Sequence, residues 1–359
     1  MPTRSLPDPE WRERTAWLLW RAALVTVAGL LLVYAFYFFL LAFAGILLAV
    51  FLSAMTGWLR EKTGLGRLAA LAVVLLTLAL LLAGAVFWIG PGVGRQMMDM
   101  ADRLPEAYRE IEAWLSQRAW GRTVLRHLPE SGESSTRADL LGRVTGFFSA
   151  TLGTLLNVLI VLFLGVYLAA APELYQRGVL RLVPAEWRAR GEEIFKALYA
   201  ALRGWLVGRI ASMAVVAALT FAGLLALGVP LALSLAVIAG VFSFVPYVGP
   251  IAAAVPAVLV AGVEGVALAG WVAGLYALVQ LVESYLITPL IQQHVVSMAP
   301  ALLISAQVLL GMAGGVLGVL LATPLAVVTV VLLQTLYVQD ALGEDVEVMG
   351  SSWNDEEKG

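Results

Sequence analysis

Uninterrupted apolar runs, each about as long as a bilayer is thick, alternate along the chain with short basic clusters. From Ala22 to Ala54 no charge appears for 33 residues. One helix of that length would measure about 50 Å against a hydrocarbon core of about 30 Å, so two short crossings are expected. Arg60, Lys62 and Arg67 then mark a basic turn, Leu68 to Ile89 supplies a third crossing and Phe147 to Ala171 a fourth. Beyond Arg209, crossings are expected near 210–228, 231–262, 265–288 and 300–338, giving about eight in all. The sixth and eighth stretches exceed one straight span, and tilts, breaks or re-entrant turns must absorb the excess. The pattern predicts an all-α, polytopic integral membrane protein with broken or re-entrant segments.

The polar segments read differently from one another. Gly92 to Arg143 interleaves eight basic with eight acidic residues, as a water-exposed insert would. Within it Val93, Met97, Met100 and Leu104 recur at helical spacing, as do Tyr108, Ile111, Trp114 and Leu115 after Pro105, so two amphipathic helices are expected. Their apolar faces would lie on the membrane, on each other, or on a partner. Glu173 to Arg209 is basic and amphipathic, with Ile194, Leu198, Leu202 and Trp205 on one stripe, as in an interfacial helix. The amino-terminal segment, with Arg4, Arg12, Arg14 and Arg21 among Trp11, Trp17 and Trp20, suits the headgroup level. Pooling this segment, the 55–67 turn and 173–209 on the cytoplasmic side collects 14 Lys and Arg there. The positive-inside rule then places the insert outside and both termini cytoplasmic in a plasma membrane. The resulting organisation is 1–90, an interfacial helix and three crossings; 91–145, the insert; 146–172, the fourth crossing; 173–209, the interfacial helix; 210–339, a core with broken helices; and 340–359, an acidic disordered tail.

Charge narrows the function. Between Arg209 and Asp340 lie 130 residues whose only carboxylates are Glu264 and Glu283, which no water-facing surface could tolerate. A net charge of −2 gives no pull toward nucleic acid. There is no Cys, and only two His, His127 and His294. Without GxSxG, HExxH or a phosphate-cradling GxxxxGK[ST], the chain is expected to be no enzyme and to need no cofactor or metal.

Two features stand out as candidate chemistry. Phe244-Val245-Pro246-Tyr247-Val248-Gly249-Pro250, followed by Pro256, breaks the sixth stretch. Each proline lacks an N–H and obstructs the carbonyl four residues earlier, freeing backbone groups for protein, water or a solute. Carbonyls near Val245 and amides near Gly249 could then join a midplane ligand shell; a packed kink or a plain turn is the alternative. Glu283, with Gln280 three residues earlier on the same face and Pro289 beyond, is an acid at membrane depth. Such a carboxylate is costly unless protonated, paired or hydrated, and is a functional candidate by default. Its partner cannot be read from the sequence, and a structural hydrogen bond to a broken helix remains the other reading. Glu264 reads as an interface residue and His294 as a solvated loop residue. Gly311, Gly314, Gly315, Gly318 and Pro324 in the last stretch, with Gly223 and Gly228, suit close helix packing or a hinge.

These motifs, in this order, resemble the AI-2E family of bacterial inner-membrane proteins. The resemblance rests on Phe244 to Pro250, Gln280-x-x-Glu283-x-x-Leu286-x-x-Pro289, Pro300-Ala301-Leu302 and Gly315-x-x-Gly318-x-x-Leu321-x-Thr323-Pro324-Leu325. Arg181-Leu182-Val183-Pro184 leading to Leu202-Arg203-Gly204-Trp205 adds to it. It implies about eight membrane helices, a homo-oligomer, and secondary transport of a small polar solute such as the quorum-sensing signal autoinducer-2. Some relatives are credited with sodium/proton exchange, and a non-transporting scaffold is the third reading. One departure is that Tyr167-Leu168-Ala169-Ala170-Ala171 ends the fourth crossing where many relatives carry an acid. Glu283 is the expected proton or cation group.

Overall fold

The computed structural model describes residues 9–84, 86–87, 156–287 and 299–344, with α1 side chains from Ala35 onward. The 91–145 insert, Pro289, His127, His294 and the tail beyond 344 lie outside the described residues. All regular structure among the described residues is helical.

A first helix, α1, runs Pro9–Thr63 without a break. The two short crossings expected in 22–54 are therefore one helix. No proline interrupts that stretch and its glycines continue the helical backbone, so nothing stops the hydrogen-bond ladder. A continuous helix also puts the amino-terminal arginines and the 60–67 turn at opposite ends, which removes the former from the pooled charge count. Helix α2 spans Arg67–Gly84 and α3 spans Leu156–Ala170. At Ala171 the chain bends by 91° into α4, Pro172–Leu182. Proline at the start of α4 cannot extend the ladder of α3. Arg67 caps the freed end, its Nε and Nη2 donating to the Ala169 carbonyl at 3.2 and 2.9 Å. A cation at a helix carboxyl terminus also meets the negative end of the dipole.

After a 3-10 turn at Ala185–Trp187 comes α5, Arg188–Ala226, the longest helix of the carboxyl half. The interfacial helix expected over 173–209 is thus divided at Pro184. Only α4 lies across the direction of its neighbour, and the expected stripe faces inward. Leu202 and Trp205 are buried with Leu40 and Leu47 of α1, and Ala197 and Leu198 pack against the same cluster. A Schellman turn ends α5: Gly228 at φ 71° allows Val229 N–H to reach the Leu224 carbonyl at 3.0 Å and its own N–H to reach Leu225 at 3.1 Å.

The sixth stretch is two short helices, α6 (Ala232–Phe242) and α7 (Val248–Glu264), followed by α8 (Val266–Val282), which continues as a π-helical turn over Glu283–Ile287. Glu264 is exposed at the end of α7, as an interface residue would be. The last helix, α9, spans Pro300–Leu332 and continues as a π-helical turn to Gln339. It is not straight: Gly315 has φ 60° and ψ −143°. Leu310 and Gly318 would stand about 12 Å apart on a straight helix. Instead a Cβ on Gly318 would collide with the Leu310 carbonyl, and one on Gly311 would lie 2.7 Å from Val319 Cγ2. The chain folds back at Gly315 into a helical hairpin, and Gly314 sits against Leu40 of α1. Pro324 is buried in the second arm.

By length and apolarity alone, with the folded α9 counted as one, five described helices could cross a bilayer, or six with the bent α3–α4 pair as one; α6 and α7 are shorter. The merged first pair and the divided sixth stretch account for the difference from eight. Helix α5 joins two cores, one with α1 and the second arm of α9, the other with α6, α7 and α8. The α6–α7 turn closes because Gly249 meets the Phe242 carbonyl, and α6 approaches α5 at Gly240, where a Cβ would lie 2.8 Å from Ala217 Cβ.

The contacts at Gly249 and Gly318 are with backbone, which cannot rotate away. Gly249→Ala and Gly318→Ala are each predicted to cost at least about 1–3 kcal/mol. Gly270→Ala, with nothing within 4 Å of the new methyl, is predicted to be neutral or stabilising, since a helical glycine loses more entropy on folding. Thermal unfolding followed by size exclusion in detergent measures all three.

Candidate functional site

The break between α6 and α7 lies against the middle of α5. Arg209 and Ser212 of α5, three residues apart, share one helical face. Arg209 Nε donates to the Phe244 carbonyl at 3.1 Å, and its Nη1 donates to Glu283 Oε1 at 3.2 Å. Ser212 Oγ donates to the same carboxylate oxygen at 3.0 Å. Only 7% of the Arg209 side chain and 5% of the Glu283 side chain are exposed. The Phe244 ring is anchored to the same helix, edge-on to Trp205 at 5.6 Å and 78°. The turn is thus held to α5 by its carbonyl and its ring, on residues four apart.

Glu283 therefore has a partner that the sequence left open, and it is the nearest basic residue upstream, 74 positions away. An acid and a base buried in apolar surroundings are each other's cheapest neighbour, yet only the packing of α8 on α5 brings them together. The π-helical turn beginning at Glu283 adds a residue to the ladder, a feature that clusters at functional sites. Gln280 does not join the cluster; its Nε2 donates to Ser284 Oγ at 3.3 Å along its own helix.

The proposed ligand groups of the break are also corrected. Gly249 N–H donates to the Val245 carbonyl at 3.1 Å, so these two satisfy each other within the turn. The Phe244 carbonyl is taken by Arg209, and the Pro246 carbonyl accepts from Val248 N–H at 2.8 Å and Gln307 Nε2 at 3.0 Å. Pro250 falls in the first turn of α7, where its missing N–H costs nothing, and Pro256 lies within the helix. What the break leaves open is on side chains. Arg209 Nη2 and Glu283 Oε2 are buried and have no hydrogen-bond partner among the described residues. An unmet donor and an unmet acceptor on one buried ion pair are expensive in a low dielectric, and both can be met by one group carrying a hydroxyl.

Two residues of the site escaped sequence reading. Gln307, buried on the first arm of α9, and Ser212, buried on α5, were not singled out, because each is one uncharged polar residue among apolar neighbours. Tyr247 carries backbone strain as well: φ 65° and ψ −55° with the Val248 N–H to Pro246 carbonyl bond form a γ-turn of the rare positive-φ kind. Such a conformation costs a non-glycine residue about 1–3 kcal/mol and persists only where its surroundings enforce it.

Glu283→Gln would be neutral to folding if the acid stood alone, but beside Arg209 it leaves a buried guanidinium uncompensated. Glu283→Gln and Arg209→Met are each predicted to destabilise by about 3–5 kcal/mol. The double variant Arg209→Met/Glu283→Gln is predicted to recover most of that loss. Melting midpoints of the three purified variants test the cycle.

Residues 22–337 match the profile described as AI-2E family transporter. The chain is 28% identical over 300 residues to "Putative transport protein YueF" of Bacillus subtilis, covering 80% of each chain. It is 29% identical over 332 residues to a "Putative transport protein" of Mycobacterium tuberculosis, covering 88% of each. It is also 26% identical over 343 residues to "Putative transport protein YrrI" of Bacillus subtilis, covering 88% of this chain and 95% of that one. A polytopic helical membrane architecture and a family match spanning nearly the whole sequence together establish that this protein belongs to the AI-2E family of transporters.

Proposed function

We propose that the protein is a secondary transporter of a small, uncharged polar solute such as autoinducer-2, bound at the Arg209–Glu283–Ser212 cluster beside the α6–α7 break. The observation that carries this reading is the unmet pair of atoms, Arg209 Nη2 and Glu283 Oε2. A hydroxyl can accept from the first and donate to the second. A monovalent cation gains little there, because the attraction of the carboxylate is opposed by the guanidinium at similar distance. The family and the names of its relatives support transport; the charge balance of the site favours a solute over sodium.

On this reading the two helical hairpins, 232–264 and 300–339, move between conformations that expose the cluster to either side. Solute binding biases one of them. If Arg209 turns toward solute, the Glu283 carboxylate loses its counter-charge, and a proton or a solute donor must replace it. That exchange is the proposed coupling step. Pro246, Tyr247, Gly249 and Pro250 shape the break, while Gln280 and Pro289 flank the acid.

The orientation that suits the positive-inside rule places the 60–67 turn, α4 with the start of α5, and the carboxyl end on the cytoplasmic face of a bacterial inner membrane. Arg67 on the Ala169 carbonyl keeps the first two on one side, and Arg190, 2.8 Å from Asp340, adds the third. The insert then faces away from the cytoplasm. The exposed apolar faces of α2, α3 and the first arm of α9 meet lipid or further copies of the chain, and a homo-oligomer is proposed.

Proteoliposomes loaded with autoinducer-2 test this directly. Efflux that responds to an imposed pH gradient is expected from the parent. It should fall more than about tenfold in Arg209→Met/Glu283→Gln, since truncating a buried charged contact costs roughly 2–5 kcal/mol and each 1.4 kcal/mol is tenfold. Gradient-driven uptake of radioactive sodium with no solute efflux would instead establish the cation exchanger, and movement of neither would leave the scaffold.

A further inference from the structure

The γ-turn at Tyr247 has to be held by something, and the groups that hold it are few. Its own bond, Val248 N–H to the Pro246 carbonyl at 2.8 Å, spans three residues only. The second bond to that carbonyl comes from another helix, from Gln307 Nε2 at 3.0 Å. Gln307 is 3% exposed. It lies on the first arm of the α9 hairpin, which is fastened at Gly314 against Leu40 and folds back at Gly315.

We infer that Gln307 is a positioning residue that latches the strained Pro246–Tyr247–Val248 turn and so sets the conformation in which the Phe244 carbonyl receives Arg209. Relaxing Tyr247 to negative φ rotates the peptide between Pro246 and Tyr247, and the carbonyl of that peptide is the one Gln307 holds. Releasing Gln307 therefore removes the bond that opposes relaxation. The effect reaches the ion pair in two residues: Phe244 shares the turn, and its carbonyl is one of the two hydrogen-bond contacts of the guanidinium that pairs with Glu283. Displacing the first arm of α9 withdraws Gln307, frees the turn, and leaves Arg209 with one contact fewer on the protein. The hairpin of α9 is in this way coupled to the ion pair through the turn. The consequence for flux rests on the transport reading above; the latch itself does not.

The chain has no Cys, so one introduced thiol reports on one place. Ser243, at 0% exposure just before the turn, donates to the Gly240 carbonyl at 2.8 Å, and Ser243→Cys is a small change. In the full chain in lipid, labelling of this thiol by N-ethylmaleimide is expected to be slow. Adding Gln307→Met, which keeps the unbranched shape and loses the donor, is expected to speed labelling by roughly tenfold or more, the shift set by typical strain of such backbone. Gln307→Leu, similar in size and also without a donor, should do the same.

Adding Tyr247→Gly to Gln307→Met should restore protection to within about threefold of the Ser243→Cys parent, because glycine adopts positive φ without strain. A merely structural glutamine would not be rescued by a change to the strained residue on another helix. If Gln307→Met alone yields little folded protein, recovery of folded material by Tyr247→Gly is the same positive result. Labelling of both Gln307 variants at the parent rate, or a parent that labels as fast as unfolded chain, overturns the latch. Labelling is read without solute. A parent that moves no autoinducer-2 therefore counts against the transport reading alone, while unchanged labelling in a transporting protein counts against the latch alone.

Discussion

One guanidinium in a hydrocarbon-like interior must be neutralised and must place its N–H groups, and in this protein most of the carboxyl half is arranged around that demand. Arg209 stands midway along α5, at a depth where its charge would be prohibitive if unpaired. Its neutralisation requires Glu283, so the end of α8 is brought to α5. Its Nε requires an acceptor, and the interior of a helix has none to spare. The acceptor is a carbonyl that exists because the chain breaks after Phe242. Ion pair and broken helix are therefore two halves of one solution: the break supplies the backbone acceptor, and the arginine satisfies a backbone group that the break exposed.

Close approach of backbone to backbone is the second condition. In lipid there is little hydrophobic force between helices, and association depends on packing and on polar contacts. The α6–α7 and α9 hairpins close where glycine meets a carbonyl, Gly249 on Phe242 and Gly318 on Leu310. Gly240 lets α6 approach α5, and Gly223 meets Leu275 of α8. The glycines thus bring four elements near enough for a few side-chain bonds to matter. They also leave little slack, so any rearrangement must occur at the turns and not within the packed faces.

The turns differ in kind, and the difference bears on motion. Gly315 reverses the chain at a positive φ that glycine adopts freely, whereas Tyr247 reaches positive φ against the preference of its side chain. A relaxed turn has no stored drive, and a strained one does. With Gln307 bridging them, the relaxed hairpin restrains the strained one, and the ion pair lies just beyond. The opposite end of the molecule is held by surface charges, as Arg190 contacts Glu193 and Asp340 between the start of α5 and the end of α9. Solvent weakens such pairs, and Arg190 adds bonds to the Thr335 carbonyl and Gln339 Oε1.

Some of this was legible from the sequence because it depends on local composition. Uncharged runs of bilayer length cannot be anything but membrane helices when 130 residues contain two carboxylates and no Lys or Arg. Prolines at 246, 250 and 256 announce a break because a missing N–H acts on its own helix, and Glu283 stands out because its surroundings are apolar. The motifs in their order also indicated the family. What sequence alone could not decide was every relation between distant segments. Whether 22–54 turned back depended on a continuous α1 packing against α5 and α9, and the stripe from Ile194 to Trp205 looked interfacial because periodicity marks a buried face without naming what buries it. The length of the eighth stretch asked for a break and its glycines suited a hinge, but which glycine reverses the chain was not legible, since glycine permits a helix and a turn alike. Arg209 and Glu283 find each other across 74 residues, and Gln307 and Pro246 across 61. Tertiary packing decides those pairings, because a charge or an amide is satisfied by whatever the fold places beside it, and chain order does not encode that distance.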